Sequence, residues 1–417
     1  MTARPAVPPD ELESIDLADP RLHAERELGE LWRYLREERP FYYQQPRGSQ
    51  PGFWVITRYA DAMSVYKDKE HFTTERGNAL ASLLTGGDSA SRIMMAVTDG
   101  AQHTQFRNLL MKAFSPRRLA VARESVRRTV DQLIAVAAEK GECDFVRDVS
   151  ADVPLGAICD LMDVPHSDRR YLLGLTSHVW SSDEADARQE DYWTAKNETL
   201  LYFADLARTR RGSDRDDVVS LLANCRIDGK PIDDATLTAN CYGLIIGGDE
   251  TGRHAISGGL LALIEDPNQW DALKQGRVDL ERGADEILRW TVPSLHGGRA
   301  VTADVVVSGK QPIRKGEFVS VWISSANRDP EAFPDPDAFD LHRTPNRHLT
   351  FAFGAHFCLG HYLARIEVEA VLDALRRVVA RVSRRGQERW IYSSILHGMS
   401  SFPVVIEPEP AALTRSA

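Results

Sequence analysis

Over 99–265, apolar residues recur every three or four positions, with Pro116 and Pro154 as breaks; this predicts a chain of helices. The most apolar part, near 235–264, holds Asp249, Glu250, Arg253 and His254 in its middle, which reads as a core helix and not a membrane span. Before it, two β-rich runs, 41–45 and 53–58, flank a Pro/Gly/Ser turn and predict a hairpin, with a helix over 58–67. A looser stretch, 73–98, sets glycines and serines around a short apolar run. After the helical region, an Asp-Gly turn at 227–232 aside, 299–323 is strand-rich, 359–381 is helical and 390–406 reads as a last strand pair. Between them, 326–351 is a Pro-rich coil too long to stand in a compact protein without a reason. The ends, 1–15 and 408–417, read as loose tails. The balance is mostly α with a minor antiparallel β part.

A length of 417 residues would by itself allow two or three domains. No linker, repeat or low-complexity segment marks a boundary. A net charge of −10 argues against non-specific nucleic-acid binding. The five cysteines, Cys143, Cys159, Cys225, Cys241 and Cys358, are widely spaced without a CxxC pair, which disfavours a disulfide framework or a structural zinc site and fits a reducing cytoplasm. The N-terminus has no apolar run, so neither a signal peptide nor a membrane anchor is expected.

Cys358 differs from the other four in its setting. It lies in FAFGAHFCLGHYLARIEVEA, just before a helix that is apolar on several sides. Free backbone N–H groups and the helix dipole favour a thiolate there. Gly354 and Gly360 would let the backbone turn tightly and pass close to a flat partner. Three readings stay open on this pattern: an inert buried thiol, a metal ligand, or a nucleophile served by His356 or His361.

The order Phe351, Gly354, His356, Cys358, Gly360 resembles the haem-binding loop of the cytochrome P-450 family. Further stretches resemble that family in the same chain order. LIIGGDETGRHA, 244–255, is similar to its oxygen-binding helix, with Gly247 and Gly248 opening the helix and Glu250 and Thr251 side by side. Gly252 stands where a second hydroxyl residue is common. DEILRW places Glu286 and Arg289 three apart, and Arg343 in FDLHR matches the arginine that joins them. DGAQHTQFR supplies His103 and Arg107, and HGGRA supplies Arg299.

The resemblance covers about 40–405 and implies one domain over 1–417 with the P-450 fold, a triangular prism holding haem between the oxygen-binding helix and the cysteine-loop helix. It implies haem b with Cys358 as axial thiolate, dioxygen as co-substrate, and Glu250 and Thr251 delivering protons. His103, Arg107, Arg299 and His356 would hold the propionates. Phe351, Gly354, Gly360, Gly247 and Gly248 would border the cofactor. Glu286, Arg289 and Arg343 would pin the long coil. Leu83, Met94, Val179, Ile246, Gly247, Val292, Leu295 and Ile395 would line the substrate pocket, with Trp180 as a wall.

The implied reaction is hydroxylation or epoxidation of a small, largely apolar molecule. The chain resembles soluble actinobacterial enzymes that tailor secondary metabolites, antibiotics among them, in some cases on carrier-protein-tethered groups. Electrons would come from a ferredoxin and its reductase, docking near Lys112, Arg117 and Arg118. The enzyme would be a cytoplasmic monomer with no nucleic-acid or membrane partner. One alternative keeps the haem and couples or cyclises the substrate, a reading prompted by Gly252. A remote alternative is a haem-free cysteine hydrolase or transferase.

Overall fold

The computed structural model of the chain describes residues 4–410, apart from 178, 185–188 and 228. The predicted hairpin is β1 (Phe41–Gln44) and β2 (Phe53–Ile56), paired antiparallel. With β3 (Phe72–Thr73), β4 (His296–Val301) and β5 (Phe318–Trp322) they form one sheet in the order β1-β2-β5-β4-β3. β5 runs parallel to β2, and the other pairs are antiparallel.

The helices run from α1 (Gly29–Glu38) and α2 (Tyr59–Lys67), beside the sheet, into the main helical body. That body holds α3 (Gly100–Leu110), α4 (Pro116–Lys140), α5 (Asp152–Met162), α6 (Arg169–Thr176) and α7 (Gln189–Arg210). α4 starts with Pro116 in its first turn and stops at Gly141, whose φ of 75° a side chain would resist. The central element is α8 (Asp234–Glu265), 32 residues long, capped where the Asp233 carboxylate accepts from the Thr236 N–H. α9 (Leu280–Thr291), capped in the same way by Asp279, and α10 (His361–Val378) pack on α8. α10 also packs on α4, and α8 on α5. One large apolar core joins these helices, and smaller cores lie on either side of the sheet.

Three expectations need correction. Residues 4–15 are not a loose tail: Val7 and Leu12 are buried with Leu31 and Trp32 of α1, and Ala6 bridges to Glu27. Apolar side chains spaced among prolines were enough to dock the segment. At the other end, Glu409 donates its N–H to Val378 O and pairs with Lys274, and 411–417 lie outside the described residues. The helix expected to reach 381 stops at Val378; Arg389–Trp390 and Met399–Ser401 form the expected local pair, but Val379–Arg384 is a further strand that pairs with Pro403–Pro408.

Candidate active site: a thiol loop beside a glycine-opened helix

The loop before α10 is held by its own backbone. The Cys358 N–H donates to Phe351 O at 2.9 Å, and the Phe357 N–H to Gly354 O at 3.2 Å. Gly354 has a φ of 78°, and a Cβ there would lie 2.8 Å from Tyr66 O of α2, so only glycine fits. Burial is the largest influence on the Cys358 thiol and pushes it up, opposed by the Gly360 N–H and by Arg107. Yet the residue is only partly covered, so its free surface faces an internal space. His361 Nδ1 lies 2.9 Å from Cys358 O, a structural role away from the sulfur.

A cationic group surrounds this loop. His103 and Arg107 sit one turn apart on α3, and the His103 ring lies 4.3 Å from that of His356. Arg107 makes no side-chain hydrogen bond or ion pair among the described residues. Arg299, buried on β4, donates among the described residues only to Gly298 O at 2.7 Å, and it lies over the Tyr66 ring. His103 Nε2 and the Tyr66 hydroxyl are buried without partners. Burial, with His356 and Arg107 nearby, depresses His103 to about 4. His356 Nε2 is committed to Asp99 at 2.7 Å. Burial acts to raise Asp99, but hydrogen bonds from His356, Thr73 and the Thr74 N–H outweigh it and hold the carboxyl below the usual range.

On α8, Gly247 is exposed although Ile245, Ile246, Asp249 and Glu250 are buried, and a Cβ on it would meet nothing within 4 Å. An open spot in mid-helix, inside the protein, is the wall of a cavity. The Thr251 hydroxyl, one turn on, donates to Gly247 O at 2.9 Å. Gly248 is different: its Cβ would press on Ile158 of α5 at 3.0 Å. Glu250 is not paired to Arg253 or His254. Arg253 bonds Asp249 at 2.9 Å, and the Thr176 hydroxyl donates to the same carboxylate. Glu250 Oε1 accepts from the Ser181 hydroxyl at 2.6 Å, and its Oε2 has no partner among the described residues. Burial pushes Glu250 up to about 7, against the pull of Arg253 and Ser181.

Behind the loop, Glu286 accepts from Arg289 Nε and Nη2 at 2.7 and 2.8 Å and from Arg343 Nε at 3.1 Å. The two arginines also bind the carbonyls of Asn327 and of residues 334–336 and 338. The long coil is therefore ordered by a buried charge network.

A family model described as Cytochrome P450 matches residues 280–377. Over 406 residues the chain is 64% identical to Cytochrome P450 NovI of Streptomyces niveus, covering 97% of this chain and 100% of that protein. The chain belongs to the cytochrome P450 family. It is 34% identical to a steroid C26-monooxygenase of Mycolicibacterium smegmatis, over 96% of this chain and 98% of that protein. The crystal structure of P450 OxyD, involved in the biosynthesis of vancomycin-type antibiotics, superposes with a TM-score of 0.85 at 34% identity, over 95% of this chain and 100% of the other. This P450 is an oxidoreductase of the monooxygenase type, and its family implies a haem-thiolate cofactor and dioxygen.

The residues of this P450 fit that cofactor. A partly open thiol, an internal space beside Gly247, two arginines without carboxylate partners and an orphaned His103 nitrogen are what an acidic, flat group with an iron centre would satisfy. Of the expected pocket residues, Met94 packs against Gly243 of α8, and Ile395 is partly open. Ile246 and Leu83 are packed into apolar cores and present no open surface, because the helix turns Ile246 away from the Gly247 face. Val179 is likewise buried in the main core, and Val292 and Leu295 line a separate cavity near the N-terminus. Residue 178, next to the expected pocket residue Val179, lies outside the described residues. Trp180 carries its carbonyl to the Ser393 hydroxyl at 2.5 Å. Lys112 and Arg117 are exposed, while Arg118 pairs with Asp216 at 2.7 Å.

Sequence reasoning missed Asp99, Ser181 and Asp285. Asp285 holds Arg365 at 2.7 Å, and Arg365 lies over Phe351. Asp99 stands four residues before His103, a local signal; Ser181 carries none, since its partner is 69 positions away. Gly252 is explained by packing: a Cβ would sit 2.7 Å from Glu367 Oε2 and 2.8 Å from Pro154. That removes the motive for reading it as a sign of coupling chemistry.

Proposed function

We propose that this P450 hydroxylates or epoxidises a small, largely apolar molecule in secondary-metabolite biosynthesis, using haem b held by Cys358. The similarity to NovI and to the antibiotic-pathway enzyme OxyD supports that setting. A carrier-tethered substrate is part of the reading. The single observation that carries the chemistry is the open Gly247 face with the Thr251 hydroxyl one turn beyond it, on the helix that packs against the thiol-loop helix. When bound, the haem supplies dioxygen activation, favoured by the thiolate's electron donation.

The chain's own groups do the rest. Cys358 ligates through its sulfur, steadied by the Gly360 N–H. Arg107, Arg299, His103 and the free nitrogen of His356 hold the propionates. Glu250, near neutral pKa, takes a proton through Ser181 from the surface side and passes it to the Thr251 hydroxyl. The Glu286–Arg289–Arg343 network keeps the loop in register. Electrons arrive from a separate ferredoxin and its reductase at the face carrying Lys112, Arg117 and Arg118. The whole chain acts as one monomeric, cytoplasmic domain. Among the described residues no helix is long and apolar enough to cross a membrane.

The carbon monoxide difference spectrum of the reduced protein tests the ligand. A thiolate-type band is expected, and Cys358→His should lose it while still binding haem; an unchanged band in that variant sinks the assignment. Product mass tests the reaction: one added oxygen supports it, and loss of two hydrogens without oxygen points to coupling.

A further inference from the structure

A second cavity, of about 300 Å³, lies between the N-terminal segment and the coil after β5, apart from the thiol loop. Trp32 and Arg36 of α1, Trp290 of α9, Ser324 of the short helix Ile323–Ala326 and Arg328 of the coil after it are among its walls. Its charge is unbalanced. Four arginines line it, and two are already paired: Arg4 with Glu27 at 2.5 Å and Arg26 with Glu11 at 3.1 Å. Arg36 and Arg328 form no ion pair among the described residues. Asp337 is the one further acid in the wall.

Arg36 is 5% exposed. Its Nη1 donates to Ser325 O and Oγ at 3.2 and 3.1 Å, and its Nε has no partner. Arg328 donates to Pro336 O at 3.3 Å and Trp290 O at 3.2 Å, with its guanidinium stacked 3.7 Å from the Trp290 ring centre. Carbonyl and hydroxyl oxygens offer only partial charge, and the acids nearest in effect, Asp329 and Asp337 for Arg36 and Asp337 and Glu286 for Arg328, act without a direct ion pair, so both cations lack a bonded anion. Burial, then the neighbouring Arg289, lowers Arg328 to about 9. The Ser324 hydroxyl is another buried group without a partner. His23 Nε2 bonds Leu17 O at 2.9 Å, which leaves its unpartnered Nδ1 as an acceptor.

We infer that this cavity is a binding site for a small organic carboxylate. The carboxylate would take the free donors of Arg36 and Arg328 with the Ser324 hydroxyl, and an apolar body would lie against Trp32 and Leu295. Planar guanidinium groups match a carboxylate's two oxygens. The two aromatic walls favour a flat ligand of about benzoate size, and the volume sits at the low end for ligand pockets.

Isothermal titration of the haem-loaded protein tests this, with benzoate, neutral benzamide and inorganic phosphate as probes. Imidazole saturating the iron keeps the probes off the distal face, and an unshifted Soret band checks that it does. Benzoate should bind, with benzamide and phosphate each weaker by about tenfold or more. Arg36→Gln and Arg328→Gln should each weaken benzoate by about tenfold, and Ser324→Ala by less. Arg328 also binds coil carbonyls, so if R328Q does not fold, R36Q and S324A decide. Equal binding of benzoate and benzamide, no heat with benzoate, or wild-type affinity in R36Q overturns the site. Phosphate binding as tightly as benzoate overturns its organic character.

Discussion

Around Glu286 each carboxylate oxygen has several donors, whereas around Glu250 strong groups stand without partners. Glu286 Oε1 accepts from Arg289 and the Asp340 N–H, and Oε2 from Arg289, Arg343 and Asn346. On α8, by contrast, Glu250 Oε2, Asp249 Oδ1 and both nitrogens of His254 have no partner among the described residues. Both clusters are buried, so burial does not distinguish them. Saturation does. A carboxylate bonded at both oxygens has one arrangement, and here it fixes the coil behind the thiol. An under-bonded carboxyl, pushed up to about 7, can gain or lose a proton without dismantling its neighbours. One cluster is saturated scaffold, and the other holds the carboxyl to which the proposed function gives the proton transfer.

The largest test of that contrast is Glu286→Gln. It strands two buried guanidinium groups and should cost about 3–5 kcal/mol. Thermal unfolding should show a large loss, with haem uptake falling in parallel; a melting point within a degree of the parent would break the comparison.

Glu250 carries the next effect, through pH. Its folded-state pKa is raised, so the carboxyl stays protonated in the folded chain while the unfolded chain ionises. Its stabilising contribution is complete below about 4.5 and is lost as pH rises through about 7. The size is on the order of 3 kcal/mol or less. Denaturant titrations at pH 5 and pH 7 should show this drop in the parent and not in Glu250→Gln.

Thr251→Ala should leave the fold intact, since the hydroxyl bonds only Gly247 O. Product formed per electron consumed should fall about tenfold or more. Unchanged coupling would remove Thr251 from the relay.

The smallest effect separates two adjacent glycines. Gly247→Ala has open space and should gain about 0.5–1 kcal/mol from helix propensity while narrowing the cavity. Gly248→Ala meets Ile158 and should lose about 1 kcal/mol or more. Paired melting curves should move in opposite directions.

Much of this was legible in advance because it is local. Pro116 breaks the chain where α4 begins, and Glu286 and Arg289 share a face because they are three apart. The motif order along the chain identified the thiol loop and its family. Where partners are remote, the sequence was silent: Ser181 on Glu250, Asp99 on His356, Asp285 on Arg365. Ile246 and Gly247 are neighbours in sequence, yet only packing shows that one faces the core and the other a cavity. The N-terminal segment read as loose because its apolar residues follow no period, and it docks because a surface was there to receive them.

The sequence by itself determined the elements, the cysteine's loop and the family, since each rests on spacing within a turn or on motif order. Only the tertiary structure decided which charges are satisfied, which glycine opens a cavity and where two arginines are left without acids. Those facts depend on distances between residues tens to hundreds of positions apart, and no local pattern encodes them.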